Sequence, residues 1–148
     1  MILNVKLNNR ITISLNLLYP LWCKPNLWDS LADYETIAIL DPDIDILDLY
    51  SISLYEFGYS VKEFSNPESL LEYVKRYPTE IGFLIIEYKM KHMTGCEFAN
   101  KINTINSRIK MAFVTGYDNI VNNKLGLEII KKPVKLTQIL KHVKKYMD

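Results

Sequence analysis

The chain has few residues of the kinds that build metal sites and disulfide frameworks. Its 148 residues include only two cysteines and two histidines. Cys23 and Cys96 lie far apart in the sequence, and His92 is the only histidine near either of them, which is too few ligands for a metal site. We therefore expect no bound metal and reduced thiols, as is typical of cytoplasmic proteins.

Long apolar runs and a large net charge are also absent. No stretch approaches the ~20 apolar residues of a membrane span, and the N-terminus lacks the basic segment and the small-residue cleavage site of a secretory leader. The formal net charge is +1, so the overall balance gives no reason to expect nucleic acid or a membrane as partner. We expect a soluble, cytoplasmic protein and interpret its lysine-rich C-terminus as a solvated helix face.

From residue 36 onward, short apolar runs alternate with helical patterns. The runs that have the length and composition of strands are IAIL, YSVKEF, IGFLII, KMAFVTG and LEIIKKP, which start at residues 37, 59, 81, 110 and 127. A capping box from Ser65 to Glu68 is expected to start the second helix. Such an alternation predicts the α/β class, with a doubly wound five-stranded parallel sheet in a flavodoxin-like order.

The first 35 residues do not follow this alternation. In ILNVKLNNRITISLNL, apolar and polar residues alternate, and Asn8 and Asn9 favour a turn between the two halves. We predict a β-hairpin and a tether over 1–35, followed by the α/β domain over 36–148; the alternative is that part of the extension forms no fixed structure. Because a lone hairpin is marginally stable in water, we expect a homodimer that covers its apolar face.

Polar residues stand at the carboxyl ends of four predicted strands. Asp41, Glu87, Thr115 and Lys132 follow the first, third, fourth and fifth strands, in that order. Because the carboxyl ends of parallel strands meet at one edge of the sheet, where ligands collect, we expect these four side chains to lie together. Asp43 is a second acid in this region, although a role as N-cap of the first helix explains it better.

Residues 36–147 resemble the receiver domain of two-component response regulators. The resemblance rests on ILDPDIDIL after the first strand, LIIEYKMKHMTG around the third, FVTGYDN after the fourth and IIKKPVK at the fifth. It implies a receiver fold and a role in signal transduction. In that family an acidic pair binds Mg²⁺ and an aspartate after the third strand accepts a phosphoryl group. A hydroxyl and an ammonium, at the positions of Thr115 and Lys132, hold the phosphoryl oxygens.

The sequence departs from the family pattern at the positions that carry this chemistry. Glu87 stands at the phosphoacceptor position, Pro42 replaces the second acid of the pair, and Ile129 occupies the position of the aromatic switch residue. The segment from Thr115 to Lys132 is also shorter than expected by roughly one helical turn. We therefore expect a stunted or irregular helix between the fourth and fifth strands.

These departures indicate a degenerate receiver, or pseudo-receiver. Mg²⁺ needs near-ideal octahedral oxygen geometry, whereas Pro42 offers no side-chain oxygen and the carboxylate of Glu87 is displaced by a methylene. Glu87 then acts as a fixed negative charge. We predict a module that binds a signalling protein and has no catalytic residue, metal or cofactor. Two alternatives are a divergent receiver that still takes a phosphoryl group with Mg²⁺, and a dimeric scaffold organised by the hairpin.

Overall fold

The computed structural model of the chain describes residues 2–7, 11–16 and 36–147. Two strands precede the α/β domain, β1 (Ile2–Leu7) and β2 (Ile11–Asn16), and they pair antiparallel. Their register places Leu7 opposite Ile11, which is the pairing that the alternating pattern predicts for a hairpin. The predicted turn at 8–10 and the predicted tether over 17–35 lie outside the described residues.

Within residues 36–147, five strands alternate with four helices. In chain order they are β3 (Thr36–Leu40), α1 (Ile44–Glu56), β4 (Ser60–Phe64), α2 (Pro67–Arg76), β5 (Ile81–Ile86), α3 (Gly95–Ile105), β6 (Lys110–Thr115), β7 (Glu128–Lys131) and α4 (Leu136–Met147). The strands form one parallel sheet in the order β4-β3-β5-β6-β7. The predicted doubly wound, flavodoxin-like sheet is confirmed. Among the helices described here, none is long and apolar enough to cross a membrane.

Two apolar clusters cover the two faces of the sheet. Successive side chains of a strand point to opposite faces, and β3 accordingly divides its residues between the clusters. One cluster contains the inner faces of α2 and α3, and the other contains those of α1 and α4. All six residues of β5 are buried, as the continuous apolarity of IGFLII predicts for a central strand that is covered on both faces.

The capping box predicted from Ser65 to Glu68 is wrong. Asn66 is the N-cap of α2, and its side-chain oxygen accepts a hydrogen bond from the backbone amide of Ser69 at 2.9 Å. Pro67 occupies the first position of the helix, where its missing N–H costs nothing and its fixed φ suits the helix. The helix therefore starts one residue later than the Ser-x-x-Glu spacing suggests.

The connection between β6 and β7 contains no helix. Residues 116–127 are irregular, so the helix that we expected to be stunted or irregular does not form at all in this shortened segment. The side chain of Asn123 closes the segment, since its amide donates to the carbonyl of Leu127 and its oxygen accepts from the Leu127 amide, both at 2.9 Å. Ile120, Leu125 and Leu127 pack against the apolar cluster and cover part of the sheet in place of a helix.

Gly95, at the start of α3, allows the chain to pass very close to β5 and β6. A Cβ atom at this position would lie 2.8 Å from Phe113 Cε1 and 2.9 Å from the Cα of Tyr88. A capping box formed by Thr94 and Glu97 fixes the helix start. No other residue fits this position without movement of the backbone. The first residue of α3 therefore lies against the backbone of Glu87 and Tyr88.

We predict that Gly95→Ala lowers the free energy of unfolding by about 1–3 kcal/mol, because the added methyl group overlaps backbone that cannot move freely. Gly116→Ala is the matched control, since a Cβ there would be 3.8 Å from the nearest atom, Lys132 Cβ, and should change stability by about 0.5 kcal/mol or less. Urea unfolding measures both. Equal stabilities of the two variants would contradict the close approach.

Candidate functional site

Backbone hydrogen bonds of the sheet position the residues at the strand ends. Asp41 follows β3 and Glu87 follows β5, and the amide of Glu87 donates to the carbonyl of Leu40 at 2.8 Å. Thr115 ends β6, and the amide of Lys132 donates to its carbonyl at 3.0 Å. The sheet ladder therefore continues into the site and brings together the four residues that the sequence places at strand ends.

The ammonium of Lys132 lies between two carboxylates. Its Nζ is 2.7 Å from Asp41 Oδ2 and 2.7 Å from Glu87 Oε2. The side chains of Asp41 and Glu87 are only 5% and 11% exposed, and that of Lys132 is 22% exposed. Burial acts to lower the pKa of Lys132, but its hydrogen bonds to Asp41 and Glu87 outweigh that effect and raise the pKa above its ordinary value. The ammonium therefore stays charged.

The remaining carboxylate oxygens also have donors. Glu87 Oε1 accepts from the hydroxyl of Thr115 and from the backbone amide of Lys89, the latter at 3.1 Å. Asp41 Oδ1 accepts from the backbone amide of Asp43 at 2.9 Å. Each of the four carboxylate oxygens thus has at least one partner, which offsets the cost of removing two charges from water.

These groups form one wall of an open cavity of about 400 Å³. Asp43 also lines this cavity, but its carboxylate caps α1 by accepting from the amide of Asp45 at 3.0 Å. Ile129 lies on β7, is 43% exposed and does not line the cavity. Of the predicted site residues, the structure therefore groups four tightly, places Asp43 at the rim and leaves Ile129 outside.

Sequence reasoning missed a pair of stacked tyrosines beside the acid, of which Tyr117 lines the cavity. Tyr88 is buried, and its ring stacks on that of Tyr117 with centroids 5.4 Å apart. The Lys89 ammonium lies 5.6 Å from the centre of the Tyr117 ring, within the range of a cation–π contact. The only signal in the sequence was the occurrence of a tyrosine directly after Glu87 and another directly after Gly116.

The residues of the cavity do not fit the Mg²⁺ ion that the resemblance implies. Mg²⁺ needs several oxygen ligands in octahedral geometry. Pro42 offers none from its side chain, Asp43 is engaged at the helix start, and Asp41 and Glu87 are held by the Lys132 ammonium. Among the residues that the structure describes, no group of three or more acidic, histidine or cysteine side chains is placed to hold a metal.

We predict that Lys132→Met destabilises the protein at pH 7 by about 2–4 kcal/mol, because it leaves two nearly buried carboxylates facing each other. Partial exposure of Lys132 limits the loss. Lys131→Met is the control, since Lys131 and its partner Asp118 are 50% and 88% exposed, and it should unfold like the parent. Urea titration measures the difference, and equal stability of the two variants would contradict the central role of Lys132.

We also predict that the stability contributed by Lys132 depends on pH. The stabilisation by Lys132 is fully present below the pKa of an unfolded lysine, about 10.4, and is lost as the pH rises through the higher pKa of the folded group. The stability difference between the parent and Lys132→Met should therefore be constant near neutral pH and shrink above about pH 10.5. A difference that is already falling between pH 7 and 9 would contradict the raised pKa.

Comparison with known proteins identifies the family of this α/β domain. Residues 37–144 match the family model of the response regulator receiver domain. The response regulator receiver protein CpdR of Brucella abortus is 24% identical over 118 residues, which cover 76% of this chain and 97% of CpdR. The response regulator protein TodT of Pseudomonas putida is 28% identical over 102 residues, which cover 69% of this chain and 43% of TodT.

The chain spans less than half the length of some of the relatives that it matches. The phosphoglycerate transport system transcriptional regulatory protein PgtA of Salmonella typhimurium is 24% identical over 102 residues, which are 69% of this chain but only 23% of PgtA. TodT and PgtA are thus longer proteins of which this chain resembles one part.

Solved structures have the same fold. A CheY-like receiver domain protein from Methanospirillum hungatei superposes with a TM-score of 0.71 at 26% identity, over 77% of this chain and 94% of that one. A receiver domain protein from Clostridium thermocellum has a TM-score of 0.71 at 21% identity, over 76% and 93%. The chain belongs to the response regulator receiver family of two-component signal transduction.

Proposed function

We propose that this receiver works without phosphorylation, as a protein-binding module in a signalling pathway. The observation that carries the proposal is the set of contacts made by Glu87. Its carboxylate accepts from the hydroxyl of Thr115 and from the ammonium of Lys132, the two groups that by family resemblance would hold phosphoryl oxygens. Glu87 therefore takes the contacts that a phosphoryl group would otherwise make.

The charge balance of the cavity supports the same proposal. Three acids line the cavity, Asp41, Asp43 and Glu87, and two lysines line it, Lys89 and Lys132. The Lys132 ammonium lies between the carboxylates of Asp41 and Glu87. Phosphoryl transfer depends on positioning and on neutralisation of the phosphoryl oxygens by a metal and a cation. Here the cation is already shared by two carboxylates, and the remaining side chains do not form a Mg²⁺ site. An incoming phosphoryl anion therefore meets net negative charge.

In this proposal, Glu87 supplies permanently the negative charge that phosphorylation supplies on demand. The domain is then held in one conformation. It acts by binding a second signalling protein that recognises this conformation. In this proposal the domain has no catalytic residue and no cofactor. The divergent receiver that still accepts a phosphoryl group with Mg²⁺ is the competing function, because Thr115 and Lys132 are both in place.

We further propose that the chain is a homodimer to which the hairpin contributes. The observation behind this is that β1 and β2 form a two-stranded sheet with no third strand among the described residues, an arrangement of marginal stability when uncovered. Edge strands pair readily with a copy of themselves.

Deletion of residues 1–30 is therefore expected to weaken or abolish the dimer, as measured by light scattering. Circular dichroism would verify that the α/β domain is still folded. The same oligomeric state before and after deletion would exclude the hairpin as a dimer contact.

The absence of phosphorylation is tested by restoring the missing groups. We predict that Glu87→Asp alone does not take up a phosphoryl group from acetyl phosphate, because the metal site stays incomplete. The combination with Pro42→Asp should recover Mg²⁺ binding and phosphorylation, since two adjacent carboxylates and the shorter acid then present oxygens toward one point. The two effects should be strongly non-additive.

Mass spectrometry after incubation with acetyl phosphate and Mg²⁺, and beryllofluoride binding followed by fluorescence, measure the outcome in the parent, both single variants and the double variant. Pro42→Asp also removes a rigid residue before α1 and is expected to cost up to about 1 kcal/mol of stability. Mg²⁺-dependent uptake of a phosphoryl group by the parent would establish the competing function.

A further inference from the structure

Two of the four described helices carry charge of a single sign. The charged residues of α1 are all acidic: Asp45, Asp48 and Glu56. Those of α4 are lysines, with no acid among them: Lys141, Lys144 and Lys145. By contrast, α2 combines Glu72 with Lys75, and α3 combines Glu97 with Lys101. Mixed signs are usual on a solvated helix face. The helix dipole favours Asp45 in the first turn of α1 and Lys144 and Lys145 in the last turn of α4, but it does not account for the other charges of these two helices.

The outer face of α1 is also apolar. Leu49, Ile52 and Tyr55 follow one another at intervals of three residues and are 58%, 62% and 74% exposed, so that they form one stripe. The opposite face of the helix is buried in the core through Leu47, Tyr50 and Leu54. A surface helix normally presents a polar face to water. A second apolar face with acids beside it is typical of an interaction surface.

Most of the charged residues of α1 and α4 have no ion-pair partner among residues 36–147. Over residues 36–147, no ion pair involves Asp48 or Glu56 on α1, or Lys141 or Lys144 on α4. All four of these residues are exposed. Lys145 is the exception, since it pairs with Glu128 of β7. Both helices therefore have unpaired charge available for a partner.

The two helices are neighbours. They contact each other and share one apolar cluster on the same face of the sheet. An acidic apolar ridge and a basic ridge thus lie side by side on a single surface. A surface with two adjacent, complementary halves is complementary to itself when it is rotated by a two-fold axis that runs between them.

We propose that this α1–α4 surface binds a second copy of the chain, with α1 of each copy against α4 of the other. The alkyl stems of Lys141 and Lys144 would cover Leu49 and Ile52, and their ammonium groups would lie at the acids of α1. A contact between two α1 helices is disfavoured because it brings acids against acids. The proposal is independent of the absence of phosphorylation and of the hairpin.

Charge reversal and rescue test the proposal in the full-length chain by analytical ultracentrifugation. Lys144→Glu and Asp48→Lys are each expected to raise the dimer dissociation constant about tenfold, because every substitution alters two symmetry-related contacts. The double variant exchanges the charges and should return to within about threefold of the parent. Added salt should weaken the parent dimer.

Two further variants test the apolar contact and the location of the surface. Ile52→Ser removes an apolar contact without a change of charge. It is expected to raise the dimer dissociation constant, and neither charge reversal should restore the parent value. Lys101→Glu on α3, an exposed lysine on the opposite face of the sheet, is the matched control and should leave the dissociation constant unchanged.

Three results would overturn the proposal. They are a chain that stays monomeric at the highest attainable concentration, a dimer whose dissociation constant ignores both reversals, and a double variant as weak as the singles. The first would point to a basic amphipathic helix of another protein as the occupant of α1, and the second to a dimer held by the hairpin alone.

Discussion

The ammonium of Lys132, held between the carboxylates of Asp41 and Glu87, is the interaction on which the rest of the site depends. These three residues follow three different strands, and each is nearly or mostly buried. Separating any one of them from the others would leave an uncompensated charge in a poorly solvated place, which is far more costly than losing a surface ion pair. The contact therefore joins the strand ends as well as setting the charge of the cavity.

The receiver fold and the receiver chemistry place different demands on the chain. The fold needs the sheet, the two apolar clusters and the close approach at Gly95, all of which are present. The chemistry needs a free acceptor carboxylate, a metal site and an available cation. In this chain the longer acid at position 87 reaches Thr115 and Lys132 itself, so the same fold presents a cavity whose polar groups satisfy one another.

The two faces of the sheet expose different kinds of surface. On one face an irregular segment over 116–127 replaces a helix and leaves Ile129 partly exposed. On the other, α1 and α4 are regular but segregate their charges and expose Ile52. Exposed apolar residues such as Ile52 have no role in forming the core, and patches of them are typical of interaction surfaces.

The sequence by itself determined the strands, the helices and their order, because hydrophobic period and strand length are local properties. It also indicated which residues stand at strand ends, since the carboxyl ends of parallel strands share one edge. It misplaced the start of α2, where two capping signals compete within adjacent residues and Asn66 prevails over Ser65.

Only the tertiary structure decided how the site residues bond. Asp41 and Lys132 are 91 positions apart in the sequence, and Glu87 and Lys132 are 45 positions apart. No local sequence pattern therefore predicts which carboxylate oxygens contact the Lys132 ammonium. The stacking of Tyr88 on Tyr117 and the exposure of Ile52 likewise depend on packing between distant segments. Local propensity fixes what each segment becomes, whereas distances between side chains from different segments are fixed only when burial and charge pairing are satisfied together.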